Sequence, residues 1–340
     1  MSSRAFITGV SGLELGADER AFIRDERPWG FILFKRNIDT PTQVSSLVRE
    51  LRDAICNPDA PVLIDQEGGR VQRLGPPHWP VYPPGAVFGA LYDIEPKLGF
   101  QAARLSSRLI AADLIESGIT VDCLPLADVP VEGGDAVIGN RAYGTNPDKV
   151  AAIARAVTDG LVEGGVLPVL KHIPGHGRAT ADSHFRLPIV DTSRKELETT
   201  DFAAFQPLAD LPMAMTAHVV FSALDPAQPA TTSATIINQV IRGVIGFQGL
   251  LMSDDVSMNA LAGTIAERTR AIANAGCDMI LHCNGKLDEM RDVARETPEL
   301  TGEALERAKR ALASRHPPRP FDRQAARAEL DALINRVGTA

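Results

Sequence analysis

Short apolar runs recur along the 340-residue chain, each bounded by glycine, proline or charged residues. They are Ala5–Val10, Gly30–Phe34, Pro61–Ile64, Ile119–Leu126, Val166–Leu170, Pro212–Thr216, Gly249–Met252 and Asp278–Cys283. Each is shorter than a typical helix and reads as a buried strand. Between them, apolar residues fall at helical spacing over Asp18–Glu26, Gln43–Ile55, Lys97–Ser117, Asp148–Glu163, Arg194–Phe205, Ala234–Ile245 and Met258–Ala275. One start signal is specific: Thr40 as N-cap, Pro41 at the first helical position, and Gln43 placed to complete a capping box. Strands alternating with helices predict parallel pairing and right-handed crossovers. Eight such units predict an α/β fold, a single (β/α)8 TIM-type barrel over residues 1–340. The stretch from about 301 to 340, with Pro317, Pro318 and Pro320, reads as two closing helices around a proline-rich turn. A doubly wound dinucleotide fold would need G-x-G-x-x-G after its first strand, and Ala5–Val10 runs instead into Ser-Gly-Leu-Glu-Leu.

The same pattern gathers polar side chains just after the apolar runs. Asp65-Gln66-Glu67-Gly68-Gly69-Arg70 follows the third, Lys171-His172 the fifth, Ala217-His218 the sixth and Ser253-Asp254-Asp255 the seventh, while His282 and Asn284 end the eighth. In a barrel the C-terminal strand ends ring the active site, so these groups are expected at one mouth.

Composition narrows the function class. Charged residues make up 23% of the chain and the net charge is −8, with no run of Lys or Arg, so a nucleic-acid partner is not expected. No stretch of 18 apolar residues occurs and the N-terminus has no secretory pattern, so no membrane partner is expected either. Cys56, Cys123, Cys277 and Cys283 form no C-x-x-C pair and read as free thiols of a cytoplasmic protein. A monomer is expected.

The richest segment is Lys171-His172-Ile173-Pro174-Gly175-His176-Gly177-Arg178-Ala179-Thr180-Ala181-Asp182-Ser183-His184, with three of the chain's seven histidines. It reads as a long loop, and long loops mark function. Two chemistries compete for it. His172, His176 and His184 could hold a metal, but Pro174-Gly175 breaks the helix that the spacing of His172 and His176 would need, and no H-E-x-x-H occurs. Alternatively Asp182 and His184, two apart in an extended segment, point the same way, and the carboxylate tunes the imidazole for general acid/base work. Across the mouth, Asp254 and Asp255 face opposite ways on a strand, and parity alone does not choose between them. One carboxylate opposite one acid/base suits a double-displacement glycosidase.

At these residues the chain closely resembles the single-domain β-N-acetylglucosaminidases of glycoside hydrolase family 3, the bacterial peptidoglycan-recycling branch. The matching stretches are I-D-Q-E-G-G-R-V-Q-R-L (Ile64–Leu74), I-G-N-R-A-Y-G (Ile138–Gly144), Lys171–His184, A-H-V (Ala217–Val219), G-L-L-M-S-D-D-V-S-M (Gly249–Met258) and A-G-C-D-M-I-L (Ala275–Leu281). Cys123–Val129 departs from the family's F-A-P-V-L-D-V but keeps Asp128, and Asn140 stands where Asp or Glu is common. The resemblance implies a retaining exo-β-N-acetylglucosaminidase acting on GlcNAc-containing muropeptides, with neither cofactor nor metal. It implies Asp254 as nucleophile, His184 as acid/base oriented by Asp182, and Asp65, Arg73, Arg141, Lys171 and His172 as sugar-contacting residues. It leaves His176 to shape the turn.

Overall fold

The computed structural model describes residues 3–183 and 186–337. Its eight parallel strands are β1 (Arg4–Thr8), β2 (Pro28–Leu33), β3 (Val62–Ile64), β4 (Val121–Asp122), β5 (Leu167–Ile173), β6 (Met213–Thr216), β7 (Leu250–Asp255) and β8 (Met279–His282). They pair in sequence order and β8 returns to β1, so the barrel is closed. Every expected apolar run overlaps a strand. Two strands reach further toward the mouth than expected, β5 through Ile173 and β7 through Asp255. Lys171 and His172 therefore lie on a strand end and not in a loop.

The two-residue period of the strands separates two cores. Ala5, Ile7, Leu63, Val121, Leu167, Val169, Met213, Met215, Leu250, Met252, Met279 and Leu281 fill the barrel interior. Phe6, Phe31, Val62, Ile64, Leu170, Ala214, Leu251 and Ile280 face outward onto the helices. Toward the C-terminal ends the pairing shifts register between Leu170 and Ile173 and between Met252 and Asp255, so the alternation is interrupted there, and Asp65, Lys171, His172, Asp254 and Asp255 all line the mouth.

Helices fill the outer ring. Thr40 accepts from the Gln43 amide and Pro41 opens Pro41–Ala54, as expected. The Gln43 side chain, however, accepts from Asp39 N–H and donates to Leu13 and Asn37 carbonyls, so no capping box closes on Thr40. Arg194–Phe205 divides into Arg194–Thr199 and Asp201–Phe205, and Ala234–Ile245 is a π-helix over Ile236–Val244. The helix expected from Met258 begins only at Ile265, where Thr264 and Glu267 form a capping box. Two helices had no sequence expectation, Gly85–Ile94 and Leu287–Glu296. Among the described residues no helix is long and apolar enough to cross a membrane.

Gly302–Ala313 stoppers the N-terminal end of the barrel: Ala304, Leu305, Ala308, Ala311 and Leu312 join the interior core. Arg323–Ile334 packs on Pro96–Glu116, where Arg323 meets Asp113. The stopper is pinned by Asp278, which takes Arg307 at 2.9 Å, Arg242 at 2.8 Å and the Leu251 amide at 2.9 Å. Removing one partner of a buried ion pair leaves the others uncompensated. Asp278→Ala is therefore expected to lower unfolding stability by about 3 kcal/mol, while the mouth at the far end keeps its activity. Urea unfolding together with steady-state kinetics checks both halves, and a neutral effect on stability would contradict the assignment.

Candidate active site

The C-terminal mouth forms an open cleft lined among others by Phe34, Asp65, Arg73, Arg141, Lys171, His172, His176, Ser183, Asp254 and Asp255. The expected site residues Asp65, Arg73, Arg141, Lys171, His172 and Asp254 are thus brought together. Asp182 stands on the same segment as Ser183. His184 lies outside the described residues.

Asp65 follows β3 and leads into a hairpin, Gln66–Gly68 against Val71–Gln72. Its turn needs Gly68 and Gly69, which have φ of 96° and 57°. A Cβ there would also meet Pro83 O at 2.3 Å and Pro84 Cβ at 2.7 Å. Buried Gln66 locks the hairpin, accepting the amides of Arg73 and Leu74 at 2.9 and 3.0 Å and donating to Leu74 O at 2.9 Å. The chain returns so that Arg73 meets Asp65 at 3.0 Å.

Lys171 sits at the centre. Its Nζ lies 2.9 Å from Asp65 and 2.6 Å from Glu67. Glu67 in turn takes Arg141 in a fork, at 2.9 and 2.8 Å. Arg141 arrives on the segment Ile138–Gly144, which lies against the bare face of Gly85–Ile94. A Cβ on Gly85 would meet Arg141 O at 2.1 Å, and one on Gly89 would meet Tyr143 O at 2.0 Å. Burial would raise the carboxyls, yet Lys171 with Arg73 holds Asp65 well below the usual range, and Arg141 with Lys171 brings Glu67 to about 2. Burial alone would lower the Lys171 ammonium, but Asp65 and Glu67 overcome this and raise it. All three groups are charged. Asp122, which caps the Gln66 amide at 3.0 Å, goes the other way: burial lifts its carboxyl well above the usual range.

A second cluster surrounds Asp128. It accepts from the His172 ring at 2.7 Å, from the His172 amide at 3.3 Å and from the His176 amide at 2.7 Å. Burial opposes ionisation of Asp128, but His172 prevails and holds it below the usual range. His176 is buried, its Nε2 3.1 Å from Ser183 Oγ. Burial, helped by the neighbouring His172, lowers the His176 ring from 6.5 to about 4.

The two adjacent carboxylates of β7 differ. Asp255 accepts from Ser257 N and Oγ at 3.0 and 2.6 Å and from the Cys283 amide at 3.1 Å, so it ties β7 to the end of β8. Asp254, beside it on the cleft lining, accepts the Asp255 amide at 2.7 Å. His218, buried, bonds Thr231 and the Asp255 carbonyl, and Asn284 donates to Glu289, so neither joins the cleft lining.

Sequence reasoning missed the roles of Gln66, Glu67, Asp128 and Ser183. All four stood inside the quoted stretches, which was their one signal. Among the described residues no group of three or more His, Cys, Asp or Glu has metal-holding geometry.

The pH dependence of stability follows from His176. Below 6.5 the unfolded chain takes a proton at this ring while the folded chain resists it until about 4. Stability from this group is full above 6.5 and is lost as pH falls toward about 4, in all roughly 3 kcal/mol. His176→Gln, lacking the imidazole, is expected to lose about 3 kcal/mol less than wild type between pH 7 and pH 4 in urea unfolding. Equal losses would contradict it.

The chain matches the model of the glycosyl hydrolase family 3 N-terminal domain over residues 9–314. It is 39% identical over 280 residues to the β-hexosaminidase of Alkalilimnicola ehrlichii, covering 81% of this chain and 79% of that one. Its fold superposes on NagZ from Neisseria gonorrhoeae, solved with N-trifluoroacetyl-D-glucosamine, with a TM-score of 0.84 and 30% identity, over 100% of this chain and 98% of that one. It also superposes on a glycoside hydrolase family 3 β-N-acetylglucosaminidase from Paenibacillus sp., with a TM-score of 0.82 and 28% identity, over 98% of this chain and 66% of that one. The chain belongs to glycosyl hydrolase family 3 and is a glycosidase of the β-hexosaminidase type.

Proposed function

We propose that the protein is a retaining exo-glycosidase that removes terminal β-linked N-acetylglucosamine from muropeptides in the cytoplasm. Asp254 is the nucleophile and His184, oriented by Asp182, is the acid/base. The observation that carries the reading is the pair of carboxylates at the end of β7: both line the cleft, and Asp255 is the one that ties β7 to the end of β8 through Ser257 and Cys283, in support of Asp254 as the reacting group. The ring opposite supports a neutral sugar as substrate. Lys171, Arg73 and Arg141 stand against Asp65 and Glu67, a set that offers both donors and acceptors to hydroxyl and amide groups. With Nδ1 of His172 held by Asp128, its Nε2 is the nitrogen left to meet a hydroxyl. The relatives' names support the acetylated amino sugar. The motif resemblance supports the muropeptide, and four free cysteines suit a reducing compartment.

In the first step an Asp254 oxygen bonds to the anomeric carbon as the glycosidic bond breaks, and His184 gives its proton to the leaving oxygen. In the second, neutral His184 takes a proton from water, the water oxygen bonds to the anomeric carbon, and the bond to Asp254 breaks. The sugar leaves with its β configuration.

A fluorinated slow substrate is expected to leave its mass on a peptide containing Asp254, with fragment ions placing it on Asp254 and not on Asp255. A label elsewhere, or none on an active enzyme, removes Asp254 from the role. The product in phosphate buffer is expected to be free sugar; sugar 1-phosphate would make the enzyme a phosphorylase.

A further inference from the structure

Ser183 is held from two sides. Its Oγ lies 3.1 Å from His176 Nε2, and its carbonyl accepts the Ala260 amide at 3.2 Å. Ala260 belongs to the connection that follows β7, the strand carrying Asp254. His176 is fixed from below, its own amide held 2.7 Å from Asp128 beyond the end of β4. Ser183 and His176 are each 3% exposed, and both line the cleft with Asp254. Three connections of the barrel, after β4, β5 and β7, therefore converge on one serine.

The ring of His176 fixes the direction of the contact. Among the described residues its buried Nδ1 has no hydrogen-bond partner. Burial keeps the ring neutral, so it has one hydrogen to place. A buried N–H without an acceptor is rarer than an unpaired lone pair. The hydrogen therefore sits on Nε2 and is donated to Ser183 Oγ.

We propose that His176 and Ser183 are positioning residues, a buried clamp that sets the distance between the Asp182 segment and Asp254. The proposal rests on the reading of His184 as acid/base and Asp254 as nucleophile. Ser183 is the residue between Asp182 and His184, so a shift of its backbone displaces both neighbours relative to β7. A displacement of about 1 Å at a reacting group costs on the order of 100-fold in rate. The loss falls on proton donation, so it grows with the basicity of the leaving group, and a group that departs without a proton hardly feels it.

The test compares kcat/KM for a GlcNAc disaccharide and for the dinitrophenyl N-acetylglucosaminide, which needs no acid. Ser183→Ala and His176→Leu are each expected to lose roughly 10- to 100-fold on the disaccharide and less than about 3-fold on the aryl glycoside. The double variant is expected to be no worse than either single one, because both remove the same contact. His176→Gln places an amide nitrogen where Nε2 stood and is expected to recover most of the disaccharide activity. Thermal unfolding of each variant confirms that it is folded. Equal losses on the two substrates, no loss, additive losses, or failure of His176→Gln to exceed His176→Leu would each overturn the clamp. His184→Ala separates the two levels. If it does not discriminate between leaving groups, the acid/base reading falls and the clamp with it. If it discriminates and Ser183→Ala does not, the clamp alone falls.

Discussion

The ammonium of Lys171 is the contact on which the barrel mouth depends. Its side chain is 2% exposed, and an ammonium so placed without compensation would cost several kcal/mol. Two carboxylates must therefore meet it, and both come from the segment after β3. Asp65 brings Arg73 with it, which fixes the return of the hairpin. Glu67 brings Arg141, which fixes the segment between β4 and β5. One cation on β5 thus organises connections on three sides of the cleft. No member can be removed alone without exposing a buried charge, so the ring behaves as a unit and not as separable surface pairs, whose contribution would be small.

That ring also explains why the site reads as polar yet rigid. Three cations stand against two carboxylates, each joined to a neighbour, and beneath them burial lifts the Asp122 carboxyl well above its usual range while it caps the Gln66 amide. Asp128 does the same for the start of the long loop, gathering two backbone amides and one imidazole. The polar groups that line the cleft are thus locked by contacts that run between strands, which leaves the mouth preorganised.

Much of this was legible in the sequence, for a physical reason. Buried parallel strands must be short continuous apolar runs, so the eight runs gave the barrel, and the C-terminal position of the polar groups gave its working end. The helix Gly85–Ile94 escaped because its glycines serve close approach to the Arg141 segment and not helix propensity. Glu67 and Asp128 escaped because their partners are distant in the chain, 74 residues to Arg141 and 44 to His172. Such pairings have no local signature. The capping box at Thr40 failed for a related reason: Gln43 had better partners at Asp39, Leu13 and Asn37 than the one its spacing offered.

Adjacent Asp254 and Asp255 show what structure adds to a motif. Read as sequence they are equivalent carboxylates. On β7 the two-residue period sends Leu250 and Met252 into the interior, but the pairing with β8 shifts register between Met252 and Asp255, so both aspartates reach the cleft lining and what sets them apart is the position of Asp255 against the end of β8. There it receives two amides and a hydroxyl, from the turn after β7 and from the end of β8. These contacts hold the backbone from which Asp254 projects, and the Asp255 amide itself is directed at an Asp254 oxygen. The second aspartate of the pair thus holds the backbone of the first, so the motif encodes a carboxylate at the cleft and, in the next residue, the contacts that fix it.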